Sequence, residues 1–463
     1  MNTVKAPVNP GVILFIAAFA AFIATFNETY LNVAFTPIMD TFGISETTVQ
    51  WLTTGYMLGA AVMVPVTAFL YKNIKTKKLF LIALGLLIVG SVVGALAVSF
   101  PMLLTGRIIQ SLGTGMLIPL GMNINVECAP REKLGLFLGI VGSMTTIGPS
   151  SAILLAGLFL SVVSWNVLFW IYAAIAAVCF ICVAVKLGNV STLTKPKLDI
   201  PSVILIGLSL VGILYGISSL FGGSLIISAA AIVAGLLLMV IFVKRQNKLE
   251  MPLINLAPLK IPVFAIGVII NILSLITMFA MNIVIPIYLQ SVLGMEALTA
   301  SLTLFPAIVL SAVIAPLAGK FYDKHGPALL LPSGFLFIAV FAALLTVVIT
   351  TGSMVALALC YIPVICGSAL IIGPVQSYAL SHLSYEQNPH GIVVMSTAFQ
   401  IGGCIGSSVF VGIYSVAAYG ISLSAGFSTA AFSVAGVAVI GLILALVIAG
   451  IARKEKAAKA GSA

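Results

Sequence analysis

Two charged side chains sit where the sequence is otherwise apolar. They are Glu28, in FIATFNETYLNVAF (residues 22–35), and Arg107, in LTGRIIQSLGTGMLIP (104–119). A charge at the centre of a membrane helix costs about 2.5–3.5 kcal/mol on insertion scales. Such a residue is explained by work or by a partner. At 1.5 Å per residue, Glu28 falls about 12 Å and Arg107 about 9 Å from the outer ends of their apolar runs. The opposite charges therefore share a depth. Burial makes a charged carboxylate costly, and a nearby cation or water offsets that cost. An acid between these influences can exchange a proton as water reaches it from alternate sides. A cationic solute competing for the same carboxylate would be exchanged for protons. A membrane potential adds about 2.3 kcal/mol per charge per 100 mV, which supports roughly a 50-fold gradient. The alternative is a structural ion pair that only ties two helices together. Glu127 is a weaker candidate, read as a loop-side acid.

Other polar groups inside apolar runs are few. Asn32, Trp51, Tyr56, Gln290 and Gln400 could line a substrate pathway. Trp51 and Tyr56 could stack on an aromatic cation. Interhelical hydrogen bonding and interface anchoring account for the same residues equally well. Gly148 and Pro149 read as either a packing contact or a gating hinge, because proline removes a helix hydrogen bond. His325, His382 and His390 fall in turns and are assigned no site. The six cysteines lie in or beside apolar runs and read as packing residues. No phosphate-binding loop outside a membrane run, hydrolase triad or metal-ligand cluster occurs. The expectation is a protein that is not an enzyme and needs no cofactor or metal.

The elements that must hold these residues are helices in lipid. Of 463 residues, 61% are hydrophobic and 7% charged, and the mean hydropathy is +1.26. Soluble domains are about 25% charged. Apolar runs of the length needed to cross about 30 Å of hydrocarbon recur along the chain. Fourteen spans are predicted, near 11–36, 47–71, 78–99, 101–125, 134–159, 165–186, 200–221, 223–243, 262–288, 297–319, 327–350, 354–380, 391–418 and 424–451. The fold class is an all-α membrane protein. Of 21 Lys and Arg, all but Arg107 fall in connections that share one face under this division. The positive-inside rule puts that face, with both termini, in the cytoplasm. The net charge of +10 then reflects topology and anionic lipid, not nucleic acid. The stretch MNTVKAPVNPGVILF leads into a retained first helix and is not read as a signal peptide.

A weak internal repeat is visible: VTAFLYKNIKTKKLFL (66–81) and APLAGKFYDKHGPALL (315–330) both run from a span into a basic turn. NETYLNVAFTPI (27–38), VQWLTTGYMLG (49–59), the G-R-x-x-Q stretch at 106–110, GIVGSMTTIGPSSA (139–152), PIYLQSVLGMEALTASLTLFP (286–306) and MSTAFQIGGCIGSS (395–408) follow in order. Together they resemble the major facilitator superfamily, in its fourteen-span drug:proton antiporter branch. The resemblance implies two six-helix halves, 1–199 and 244–463, with a two-helix insert at 200–243. It implies a proton-coupled multidrug efflux antiporter that exports amphipathic, often cationic compounds. Its partners would be a small-molecule substrate, protons and membrane lipids, and it would be a monomer in a bacterial plasma membrane. A specific exporter of one metabolite, or a non-transporting lipid-handling or sensor protein, remains open on the same fold. The cytoplasmic G-x-x-x-D-R-x-G motif keeps Gly319, Asp323 and Gly326 in its second copy. The first copy has Ala68, Lys72 and Lys75 instead, so the helix latch that its Asp supplies is absent or rebuilt there. The Lys-rich first loop is similar to the lincomycin-resistance-like subgroup.

Overall fold

The computed structural model describes residues 10–44, 46–49, 51–130, 133–160, 162–188, 190, 193, 199–221, 224–249, 252–295, 297–384 and 386–461. Sixteen helices are present among them, and no strand. They are α1 Pro10–Thr29, α2 Phe35–Phe42, α3 Glu46–Val49, α4 Trp51–Asn73, α5 Thr76–Ala95, α6 Phe100–Cys128, α7 Leu134–Leu160 and α8 Trp165–Lys186. Then follow α9 Ile200–Ser218, α10 Leu225–Gln246, α11 Pro262–Ser291, α12 Ala297–His325, α13 Leu330–Val348, α14 Met354–Ser381, α15 Asn388–Gly420 and α16 Leu423–Gly461. Lipid leaves the backbone no other partner, so apolar runs of this length close their hydrogen bonds within each helix.

Among the described residues, thirteen helices are long and apolar enough to cross a membrane. The predicted fourth span, α6, is 29 residues long but is not one of the thirteen. Arg107, Gln110, Asn123, Asn125 and Glu127 all lie in it and lower its hydropathy.

Two compact units form. One comprises residues up to 129, 147–216 and 229–256; the other comprises 130–146, 217–228 and 257–463. Helix α7 passes from one to the other beside Gly148-Pro149, and most of α9 and α10 goes with the first. These units therefore follow different boundaries from 199 and 244. In the first, α6 packs against α1, α4 and α5. Its contact with α5 needs glycine: a Cβ on Gly106 would stand 2.8 Å from the Gly90 carbonyl oxygen. In the second unit, α14 packs on α11, α12 and α13, while α16 packs on α11, α13 and α15. The α9–α10 hairpin is closed at one end by Arg245, whose Nε and Nη2 each donate to Asp199 at 2.8 Å. These bonds hold the Asp199 carboxyl below the usual carboxylate range. Gln246 adds a bond to Ser202 at 2.6 Å.

Candidate functional site

Glu28 occupies the last turn of α1. There the α-helix gives way to a 3₁₀ turn, Tyr30–Ala34, before α2 resumes. Thr29, at the junction, has φ −120° and ψ −17°. A 3₁₀ stretch within a longer helix loosens the preceding carbonyls from their usual amide partners. Arg107 takes up those carbonyls. Its Nη1 donates to Asn27 O at 2.9 Å, to Asn27 Oδ1 at 3.0 Å and to Gln110 Oε1 at 3.0 Å. Its Nη2 reaches the main-chain O of Glu28 at 3.5 Å, and its Nε donates to Leu52 O at 3.2 Å. The guanidinium also lies 4.0 Å from the Tyr56 ring centroid, a cation–π distance.

This cage is supported from behind. Gln110 Nε2 donates to Ser91 Oγ at 2.8 Å, and Ser91 Oγ to Leu87 O at 2.6 Å. The Tyr56 hydroxyl bonds Thr114. Arg107 is 0% exposed and Glu28 2%. Neither is among the ion pairs of the described residues, which are Arg245–Asp199 and, with a protonated imidazole, His382–Glu455. The structural Glu28–Arg107 bridge weighed from sequence is thus replaced by a bond to backbone. Glu28 Oε2 is buried with no hydrogen-bond partner.

The second half of α7 rests on this break. Thr29 Oγ1 donates to Pro149 O at 3.1 Å. A Cβ on Gly148 would meet Thr25 Oγ1 and come within 3.0 Å of the Phe26 amide nitrogen. Gly148 and Pro149 therefore lie against the turn that carries Glu28. At the other end of α7, Asp323 Oδ1 and Oδ2 accept from the amides of Gly135 and Leu136, at 2.8 and 3.0 Å. The carboxylate caps the first turn of α7. A side chain on Gly319 would collide with the Gly135 carbonyl. Gly326, at φ +79°, ends α12 in a conformation that favours glycine.

The remaining pathway residues scatter. Tyr56 belongs to the Arg107 cage. Trp51 opens α4, is 41% exposed and stacks on Tyr215 with centroids 6.0 Å apart. Gln290 is exposed near the end of α11, whereas Gln400 is buried in α15 with Nε2 unpartnered. The Asn32 side chain lies outside the described residues, as do Lys5, Arg131, Lys195, Lys197 and Glu296. Glu127 is half-buried beside Tyr71. Of the histidines, His390 is buried at the start of α15, and His382 Nε2 lies 3.1 Å from Glu455 Oε1. Asn27, Gln110, Ser91 and Thr114 were missed as site residues. Gln110 was within reach, three residues after Arg107 on the same helix face.

The family model described as Major Facilitator Superfamily matches residues 17–203 and 200–407. The chain is 34% identical over 399 residues to the lincomycin resistance protein LmrB of Listeria monocytogenes, covering 86% of this chain and 84% of that one. It is 33% identical over 398 residues to the LmrB protein of Bacillus subtilis, covering 85% and 83%. Among solved structures it resembles the human organic anion transporter MFSD10 (TETRAN), with a TM-score of 0.71 at 12% identity, over 95% of this chain and 100% of that one.

Proposed function

This chain belongs to the major facilitator superfamily, and from that premise we propose that it is a proton-coupled exporter of amphipathic, often cationic compounds, working by alternating access. The observation that carries the reading is Glu28. It is a buried acid with an unpartnered oxygen, at a helix break, beside an arginine whose hydrogen bonds go to main-chain and amide oxygens. An unpartnered full charge in such a place costs several kcal/mol. The arrangement suits the neutral, proton-loaded acid. Opening to water would let the proton leave and a cationic solute replace it. The Thr29–Pro149 bond supports coupling between that acid and a hinge in α7. The relatives named for lincomycin resistance support the export of drugs.

In this reading α6 also crosses the bilayer, which makes fourteen spans. The α9–α10 hairpin is then the two-helix insert between two six-helix halves. Both termini face the cytoplasm of a bacterial cell, and the monomer is the working unit. The test is transport by the purified protein in liposomes under an imposed pH gradient, with ethidium as probe. Proton movement on dye addition, and dye flux that follows the gradient, support antiport. Dye binding with no response to the gradient would instead mark a non-transporting binding protein.

A further inference from the structure

We propose that His382 and Glu455 form a proton-sensitive clasp, by which the end of the C-terminal helix braces the Asp323 cap on α7. The proposal rests on the transport reading only for placing this face in the cytoplasm.

Helix α16 has 39 residues. At 1.5 Å each this is about 58 Å, well beyond the ~30 Å hydrocarbon core. Its final turns therefore stand clear of lipid. Arg453, Lys454 and Lys456 are exposed there, and Glu455 turns towards the end of α14. Glu455 Oε2 accepts from the Tyr378 hydroxyl at 3.0 Å, and Oε1 lies 3.1 Å from His382 Nε2. The other ring nitrogen, Nδ1, lies 2.8 Å from the Tyr378 carbonyl oxygen.

Nε2 thus faces a carboxylate oxygen, and Nδ1 faces the Tyr378 carbonyl with Ser381 Oγ 3.5 Å away. A neutral imidazole has one N–H and can satisfy only one of them; the imidazolium satisfies both. His382 also caps the C-terminus of α14, where the helix dipole favours a positive charge. The other ionisable groups here are Tyr378 on α14, Tyr322 and Asp323 on α12, and the exposed Lys320, Lys324, His325 and Glu386. The carboxylate bonded to the ring is Glu455.

A short path connects the clasp to the cap. Ser381, next to His382, faces the Tyr322 hydroxyl. The Tyr322 ring lies over Gly135, where a Cβ would be 2.6 Å from Tyr322 Cδ1. The next residue, Asp323, holds the Gly135 and Leu136 amides. Loss of the His382 proton removes the positive charge from its contact with Glu455, so that bond weakens, the end of α14 loosens and the seat of Tyr322 and Asp323 weakens. The cap is braced most firmly while the ring carries its second proton, and less so once that proton has left.

The test is hydrogen–deuterium exchange of the segment 133–140 in the full-length protein in lipid nanodiscs, corrected for intrinsic exchange at each pH. In the wild type, exchange at pH 8 should be about 2–5-fold faster than at pH 5.5, the range of an exposed ion pair. Asp323→Asn should exchange fast at both pH values. Glu455→Gln and His382→Gln should each abolish the pH dependence, and Glu28→Gln should keep it. A wild type with no pH dependence, or a Glu455→Gln protein with the wild-type profile, overturns the proposal. Loss of the dependence in Glu28→Gln also overturns it, by assigning the effect to the coupling acid. None of these readouts requires transport, so failure of the export reading leaves them intact.

Discussion

Arg107 donates to the main-chain oxygen of Glu28, not to its carboxylate. The cation that sequence pairs with the buried acid is spent on the backbone that carries it. Arg107 therefore braces the break in α1, and Glu28 Oε2 is left without a hydrogen-bond partner.

Arg107→Lys keeps the charge but loses the fork. A single ammonium cannot reach Leu52 O, Asn27 O and Gln110 Oε1 together. Transport should fall at least about tenfold, and each buried acceptor left empty should cost about 1–3 kcal/mol. Thermal unfolding and dye flux on the same preparation check both effects. A fully active, equally stable lysine variant would show that charge alone suffices.

Glu28→Gln removes the proposed proton carrier and keeps the shape. Proton-driven exchange should be abolished while expression and melting temperature hold. Breaking a buried ion pair costs about 3–5 kcal/mol, so a large drop in melting temperature would restore the structural-pair reading. Proton exchange at the normal rate would remove Glu28 as the coupling group.

Gly148→Ala should push α7 off α1, because the new methyl meets Thr25 Oγ1. Transport should slow with little loss of dye binding. Thr25→Ala in the same chain should restore part of the rate by removing that oxygen. If the double variant is no faster than Gly148→Ala alone, the contact is not what limits the hinge.

Asp323→Ala strips the cap from two amides of α7. Loss of a cap of this kind costs about 0.5–2 kcal/mol. A cysteine placed at Lys133 should become more reactive to a water-soluble maleimide. Unchanged labelling would mean that the first turn of α7 is held by other contacts.

The Asp199–Arg245 bond depresses the Asp199 carboxyl, chiefly through the hydrogen bond from Arg245. A depressed acid contributes stability above its unfolded value of about 3.9, lost as pH falls through the lower folded value. The pair is solvent-accessible, so its contribution is small. Melting temperatures of the wild type and Asp199→Asn should accordingly run parallel from pH 5 to 8. Any difference between them should close only in strong acid.

Sequence alone determined the class of molecule, because run length and charge placement are local properties. Twenty apolar residues must be a helix in lipid, and a lone Glu28 or Arg107 within one is costly wherever the helix packs. The G-R-x-x-Q spacing held a further clue, Gln110 on the face of Arg107, that the sequence reading did not use. Tertiary structure decided the partners. Which carbonyl meets the Arg107 fork depends on where α1 unwinds and on α4 lying alongside, facts set by contacts 55 to 80 residues apart. His382 and Glu455 are 73 positions apart, so neither could announce the other. Only packing brings an imidazole between a carbonyl and a carboxylate.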